Sequence, residues 1–257
     1  MIRYATLLAA ATLAAPAAGA TALGLTGDRT LVTIDTATAM VTGTVEAQGV
    51  TRLLGIDLRP GNRTVIGVTD DMRIVTIDPA TGATAVLSQL AVALPVREAP
   101  VIVDVNPVPD RLRLMTGPTN FRVNMDTGVV TVDGGLHFDA ADAHAGRAPM
   151  VAATAYMNAH GKPEATAMYN IDAALPALLR QTRPNDGTNV TLASLSLPGG
   201  VPLAFDIGTS VAGENTAWLA TGDALHTLDL ASGAITGSWT LRGLPGPLRD
   251  LTIVAAE

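Results

Sequence analysis

Gly67-Val-Thr-Asp-Asp-Met-Arg-Ile-Val-Thr-Ile-Asp78 reads as two short β-branched runs around a polar turn, closed by an aspartate. Alternating apolar residues bounded by Gly, Asp and Asn are the signature of a hairpin. The pattern recurs at Gly24-Leu-Thr-Gly-Asp-Arg-Thr-Leu-Val-Thr-Ile-Asp35, at Leu114-Met-Thr-Gly-Pro-Thr-Asn-Phe-Arg-Val-Asn-Met-Asp126 and at Leu219-Ala-Thr-Gly-Asp-Ala-Leu-His-Thr-Leu-Asp229. Tyr156 to Asp172 reads as a stretched copy with a longer loop, Asn158 to Glu164. Each closing Asp opens a second turn, as in Asp78-Pro-Ala-Thr-Gly82, Asp126-Thr-Gly128 and Asp229-Leu-Ala-Ser-Gly233. Asp at the start and Gly where φ must be positive suit a structural turn. Another short strand follows each one, for example Ala83 to Leu87.

One more strand precedes each hairpin, centred on an aspartate. The copies are Leu54-Gly-Ile-Asp57-Leu, Ile102-Val-Asp104-Val, His137-Phe-Asp139-Ala, Ala204-Phe-Asp206-Ile and Arg249-Asp250-Leu. The last lies at the C-terminus, whereas the first hairpin has none before it. Joining the two ends completes a fifth unit, which is how a β-propeller closes its ring. Four strands and about 47 residues per unit match a propeller blade. The expectation is an all-β chain, a single propeller over 21–257 with five four-stranded blades; six blades is the alternative because the fourth unit is long. Within that unit Ala-Ala-Leu-Pro-Ala-Leu-Leu, following Asp172, is compatible with one or two helical turns.

Met1 to Ala20 carries Arg3, an apolar run from Leu7 to Ala15, Pro16 and then Ala18-Gly19-Ala20. This is the pattern of a secretory signal peptide, and its apolar run is too short to span a bilayer. The expectation is an exported protein, periplasmic or extracellular, with no membrane span. The chain of 257 residues has a net charge of −7 and no cysteine. That charge argues against a nucleic-acid surface, and the lack of cysteine removes disulfides, thiolate metal sites and Cys nucleophiles.

The sequence resembles the bacterial exported family known as domain of unknown function 4394 (DUF4394). The stretches that carry the resemblance are Leu54-Gly-Ile-Asp-Leu-Arg-Pro60, Thr76-Ile-Asp-Pro-Ala-Thr-Gly82, Asn106-Pro-Val-Pro-Asp-Arg-Leu-Arg113, Asn124-Met-Asp-Thr-Gly128, Ala153-Thr-Ala-Tyr-Met-Asn158 and Arg183-Pro-Asn-Asp-Gly-Thr188. One departure is His144, where the family favours Asn. The resemblance implies an exported propeller-like domain and transfers no activity.

The first strand of a propeller blade lines the central channel. Asp57, Asp104, Asp139, Asp206 and Asp250 are therefore expected to form a ring there. Such carboxylates either hydrogen-bond backbone amides of their own and neighbouring blades, or converge on a hard, oxygen-seeking cation such as Ca2+. A second cluster, His137, Asp139, Asp142 and His144, has metal-compatible donors but no defined spacing, and reads as a solvated loop. Gly208-Thr-Ser210-Val-Ala212 only half resembles a nucleophile elbow, and Gly134-Gly135 and Gly199-Gly200 read as turns rather than phosphate loops. Few aromatics remain to form sugar platforms. Arg59, Arg111 and Arg113 flank strand ends and are expected to pair with local aspartates at the surface. The leading expectation is a non-catalytic module binding a protein or small ligand across one face. The alternative is a Ca2+-dependent hydrolase using the Asp ring.

Overall fold

A computed structural model describes residues 19–93, 100–197 and 203–256. The signal-peptide pattern up to residue 18 and the Gly199-Gly200 pair lie outside them. Twenty-one strands and no helix make up the described chain, gathered into five sheets. Blade 1 holds β1 (Ala20–Thr26), β2 (Thr30–Asp35) and β3 (Met40–Glu46), completed on its inner side by the C-terminal β21 (Leu248–Ala256). Blade 2 runs from β4 (Leu53–Arg59) through β5 (Thr64–Thr69) and β6 (Arg73–Ile77) to β7 (Thr84–Gln89). Blade 3 is β8 (Val101–Asn106), β9 (Arg111–Thr116), β10 (Thr119–Val123) and β11 (Val130–Val132). Blade 5 is β17 (Leu203–Thr209), β18 (Asn215–Thr221), β19 (Ala224–Leu228) and β20 (Ile235–Thr240). The innermost strands β21, β4, β8, β13 and β17 pack in succession around a ring. The protein is a five-bladed β-propeller. Its closure is the antiparallel pairing of β21 with β1, from Ala20 with Ala256 to Thr26 with Leu248.

Blade 4 departs from the sequence reading by one strand. Its inner strand is β13 (Val151–Tyr156), followed by β14 (Met168–Asp172), β15 (Ala177–Arg183) and β16 (Thr188–Ser194). His137–Phe138 forms β12, a short parallel strand on the outer edge against β16. The loop 157–167 thus joins strands one and two, not two and three. The Ala/Leu-rich stretch with helical propensity is a turn and then β15. There Ala177, Leu178 and Leu179 are buried, and burial between sheets overrides local propensity.

Apolar side chains from adjoining blades fill four of the seams densely. Leu31, Leu53 and Ile56 serve blades 1 and 2, and Ile66, Leu112 and Phe121 serve blades 2 and 3. Tyr169 and Phe205 pack between blades 4 and 5, and Trp218 and Leu251 between blades 5 and 1. The seam between blades 3 and 4 has a small cluster around Met115, Tyr156 and Met168. Beside it lies a buried ion pair.

The second turns stitch the blades at their outer edge. Asp78 Oδ1 accepts from the Ala80 amide, and Asp229 Oδ1 from the Ser232 amide. In blade 3 that role falls to Asn124, whose side chain accepts from the Asp126 amide and whose carbonyl accepts from Gly128. Asp126 is thereby freed from the turn-opening role assigned to it. It receives two hydrogen bonds from Arg59 of blade 2, which also forks onto Asp110. Gly82 and Gly128 sit at φ of +73° and +72°, and their carbonyls accept from Gln48 and Ala91 of the preceding blade. A Cβ on Gly128 would lie 1.8 Å from the Gln89 carbonyl oxygen, and one on Gly82 2.1 Å from that of Glu46. Gly128→Ala combines left-handed strain with a backbone collision, so it is expected to lose more than about 2 kcal/mol in denaturant unfolding. Gly61→Ala, where a Cβ meets nothing within 4 Å, is expected to change little.

Candidate functional site

An inner strand exposes one edge of unpaired backbone amides to the channel, and such groups must find partners when buried. Aspartates on the neighbouring inner strand supply them. Asp57 Oδ2 accepts from the Val105 amide of blade 3 at 2.6 Å, and its Oδ1 accepts from its own Leu58 amide and from Thr252 Oγ1. Asp206 Oδ2 accepts from Ile253 of blade 1 at 2.5 Å, with Oδ1 on Ile207. Asp104 Oδ1 accepts from Tyr156 of blade 4 at 3.2 Å. Asp250 Oδ2 accepts from Ile56 of blade 2 at 2.8 Å.

Register assigns the equivalent positions. Asp57 faces Ile66 of the second strand, Asp104 faces Arg113 and Asp206 faces Trp218. In blade 1 the residue at that level is Thr252, opposite Leu23, so Asp250 lies two residues lower. Thr252 Oγ1 accepts from Leu58 as Asp250 does from Ile56, one step down the same strand. In blade 4 the position is Ala155, opposite Tyr169. Asp139 is not in the ring. It follows the outer strand β12, accepts from the Ala141 amide and sits 3.4 Å from Arg183. The blade 4–5 joint uses the long loop instead. The Asn158 amide donates to Asn215 Oδ1, the Asn215 side chain donates back to Asn158 Oδ1, and the Ala159 amide donates to Thr209 Oγ1.

Asp57, Asp104 and Asp206 also converge, each offering an oxygen within 4.8 Å of the other two. They line a cavity of about 20 Å3 at the channel mouth, with Thr252, Tyr156 and Gly208 around it. Arg63 is at the same mouth but donates to the Val254 carbonyl. Asp104 is 4% exposed, and its Oδ2 receives no hydrogen bond among the described residues.

The His137–His144 cluster is not brought together. The His137 ring lies against the Gly135 carbonyl and Thr188 Oγ1, Asp142 accepts from His144 and Thr191 amides, and the His144 ring packs on Phe138. Ser210 lies in the hairpin between β17 and β18, where its Oγ accepts from the Glu214 amide, so no strand-turn-helix elbow forms.

Arg113 corrects the surface-pairing expectation. It is 1% exposed, inside the blade 3–4 seam, donating to Asp133 Oδ2 at 2.7 Å, Asn120 Oδ1, Asn185 Oδ1 and the Tyr156 hydroxyl. Arg122 forks onto the same Asp133 at 2.7 and 2.8 Å. The sequence reading missed this network. Its one signal was an arginine at the second-strand level that holds Ile66, Trp218 and Leu23 in other blades.

The chain matches the family described as Domain of unknown function (DUF4394) over residues 21–252. It belongs to that family. No curated protein matches it. Among solved structures, a protein of unknown function from Bacteroides thetaiotaomicron VPI-5482 is 14% identical, with a TM-score of 0.50 over 93% of this chain and 66% of that one. One of unknown function from Bacteroides caccae is 13% identical, with a TM-score of 0.43 over 88% and 75%. An auxiliary nutrient binding protein from B. thetaiotaomicron is 13% identical, with a TM-score of 0.49 over 88% and 56%. Likeness at such identities concerns the fold alone. In this DUF4394 chain no helix among the described residues is long and apolar enough to cross a membrane.

Burial pushes all four channel carboxyls upward: Asp57 and Asp104 well above the usual carboxylate range, Asp206 to about 6 and Asp250 to about 7. Mutual repulsion adds to burial for Asp57 and Asp104, while amide donors pull Asp206 back down. A raised folded pKa means that the native state holds more protons than the unfolded one. The stability these groups contribute is complete below about pH 4 and is lost as pH rises through their folded values. His226, lowered by burial, works in the opposite direction near neutrality. In chelator-treated buffer the midpoint of thermal unfolding is expected to fall from about pH 5 to about pH 8. Asp250→Asn should flatten that slope even if it lowers the midpoint throughout. A slope unchanged in the variant contradicts the assignment.

Proposed function

We propose that this DUF4394 chain is an exported, non-catalytic binding module whose channel holds one hard divalent cation, Ca2+ by the all-oxygen chemistry of its donors. The observation that carries the cation is the convergence of Asp57, Asp104 and Asp206 within 4.8 Å around a cavity of about 20 Å3. That room suits a single water-sized body. Three buried carboxylates without a counter-ion repel one another, and a cation bonded to Asp104 Oδ2 and its two neighbours relieves this. Asp250, a layer below, contributes negative potential rather than a ligand. The ion cements the ring while the loops of the two faces remain available to a partner.

The same cavity weighs against the hydrolase reading. A cation acting on an ester or phosphoryl group needs an open position that a substrate can reach, and about 20 Å3 leaves no room for one beside the ion. Export rests on the Met1–Ala20 pattern of basic start, apolar run and small residues.

Thermal unfolding of the purified protein in EDTA, then in millimolar Ca2+, Mg2+ or Zn2+, tests the cation. Ca2+ at a hundredfold excess over its dissociation constant should add about 2.7 kcal/mol of stability. Asp104→Asn should abolish the rise, and it is the variant of choice because Asp104 gives up only one long hydrogen bond. No shift with any ion would reduce the carboxylates to blade stitching.

A further inference from the structure

The seam between blades 3 and 4 opens into a cleft of about 460 Å3, whose wall includes Asn106, Arg122, Tyr156, Ala165, Met168 and Asn185. Arg122 also borders a second hollow of about 270 Å3 with Arg111 and Thr131. A volume of several hundred Å3 is the range of small-molecule sites. The two arginines of the seam, Arg113 and Arg122, share the single carboxylate of Asp133, so the network carries a net charge of +1 within a chain of net charge −7. Arg113 spends its donors inside the seam. Arg122 does not. Its Nε and Nη2 hold Asp133, while Nη1 has no partner among the described residues, and the side chain is 36% exposed. Asn185 accepts from Arg113 through Oδ1, which leaves its Nδ2 donor without a partner as well.

Resting on the reading of the chain as a binding module, we propose that this cleft binds a small hydroxylated monocarboxylate, such as a sugar acid. Arg122 Nη1 and Asn185 Nδ2 receive the carboxylate. The buried Arg113–Asp133 pair holds both residues in place: Asp133 fixes the Arg122 fork, and Arg113 fixes the orientation of the Asn185 amide. A guanidinium beside an amide donor matches the two oxygens of a carboxylate. One surplus positive charge suits a monoanion better than a phosphate ester, which carries about −1.5 to −2 at neutral pH. Glu164 and Arg180 on the cleft wall offset one another, so the single surplus charge stands. Val108, Pro109 and Ala165 provide apolar surface for the C–H faces of such a molecule.

Isothermal titration of the purified protein with glucuronate, glucose and glucose 6-phosphate at low ionic strength is the test. Glucuronate should bind at least tenfold more tightly than either of the others. Arg122→Gln should cost at least tenfold, and it keeps the Arg113–Asp133 pair. Ala165→Trp places bulk in the cleft from an exposed loop position and touches no ion pair, so it should also remove binding. Glucuronate affinity should be the same in EDTA and in millimolar Ca2+, so that the cleft and the channel site fail separately. Equal binding of glucose, tighter binding of the phosphate, no binding of any probe, or binding undiminished in Ala165→Trp would each overturn the proposal.

Discussion

Everything in this propeller depends on an aspartate on one inner strand accepting the backbone amide of the next. A five-bladed ring has a narrow channel, and its inner strands present unpaired amides to each other rather than to bulk water. A buried amide without an acceptor costs about 1–3 kcal/mol. A short carboxylate reaches across, as Asp57 does to Val105 and Asp206 to Ile253. Each such bond satisfies an edge and fixes the spacing between blades. Because the charged groups sit at one level, the device that closes the ring also gathers negative charge at its mouth. The ring's architecture and the proposed cation site are therefore built from the same residues.

Blade 4 shows the constraint by breaking it. Its inner strand carries Ala155 where the others carry Asp or Thr, and its joint to blade 5 is made by the Asn158–Asn215 exchange and the Ala159–Thr209 bond. On its other side, the apolar packing of the remaining seams gives way to Arg113, Asp133 and Asn120. A buried pair of this kind is costly to desolvate and gives little net stability unless its hydrogen bonds are complete. Here each guanidinium nitrogen of Arg113 has an acceptor, and the group donates to four side chains. The irregular blade borders a cleft of about 460 Å3 because a seam held by long polar side chains does not close as tightly as one filled by Leu and Ile.

Much of this was legible from repetition. The hairpin of Gly67 to Asp78 and its copies identified the blade. Asp57, Asp104 and Asp206 were readable as inner-strand residues because each precedes a hairpin at a similar interval, and Asp250 because it supplies the strand that the first hairpin lacks. Asp139 was misread for a physical reason. His137-Phe-Asp139 has the same local pattern as an inner strand, and local pattern does not say which edge of a sheet a strand joins. Asp126 was misplaced similarly: Asn124 opens a turn as well as Asp does, so the fifth-position Gly128, not the acid, marks the true start. Arg113 gave no local warning that it would be buried, since its partners are up to 72 residues away.

The sequence by itself determined the blade and the way the ring closes, and put the number of blades at five with six as the alternative. These follow from turn chemistry and strand alternation, which act over a dozen residues and repeat. Only the tertiary structure decided which acids meet, that Asp250 lies a layer below the others, and that blade 4 turns an alanine to the channel and an ion pair to its neighbour. Those outcomes depend on register between strands far apart in the chain, and register is set by the packing of whole seams rather than by any residue's own neighbours.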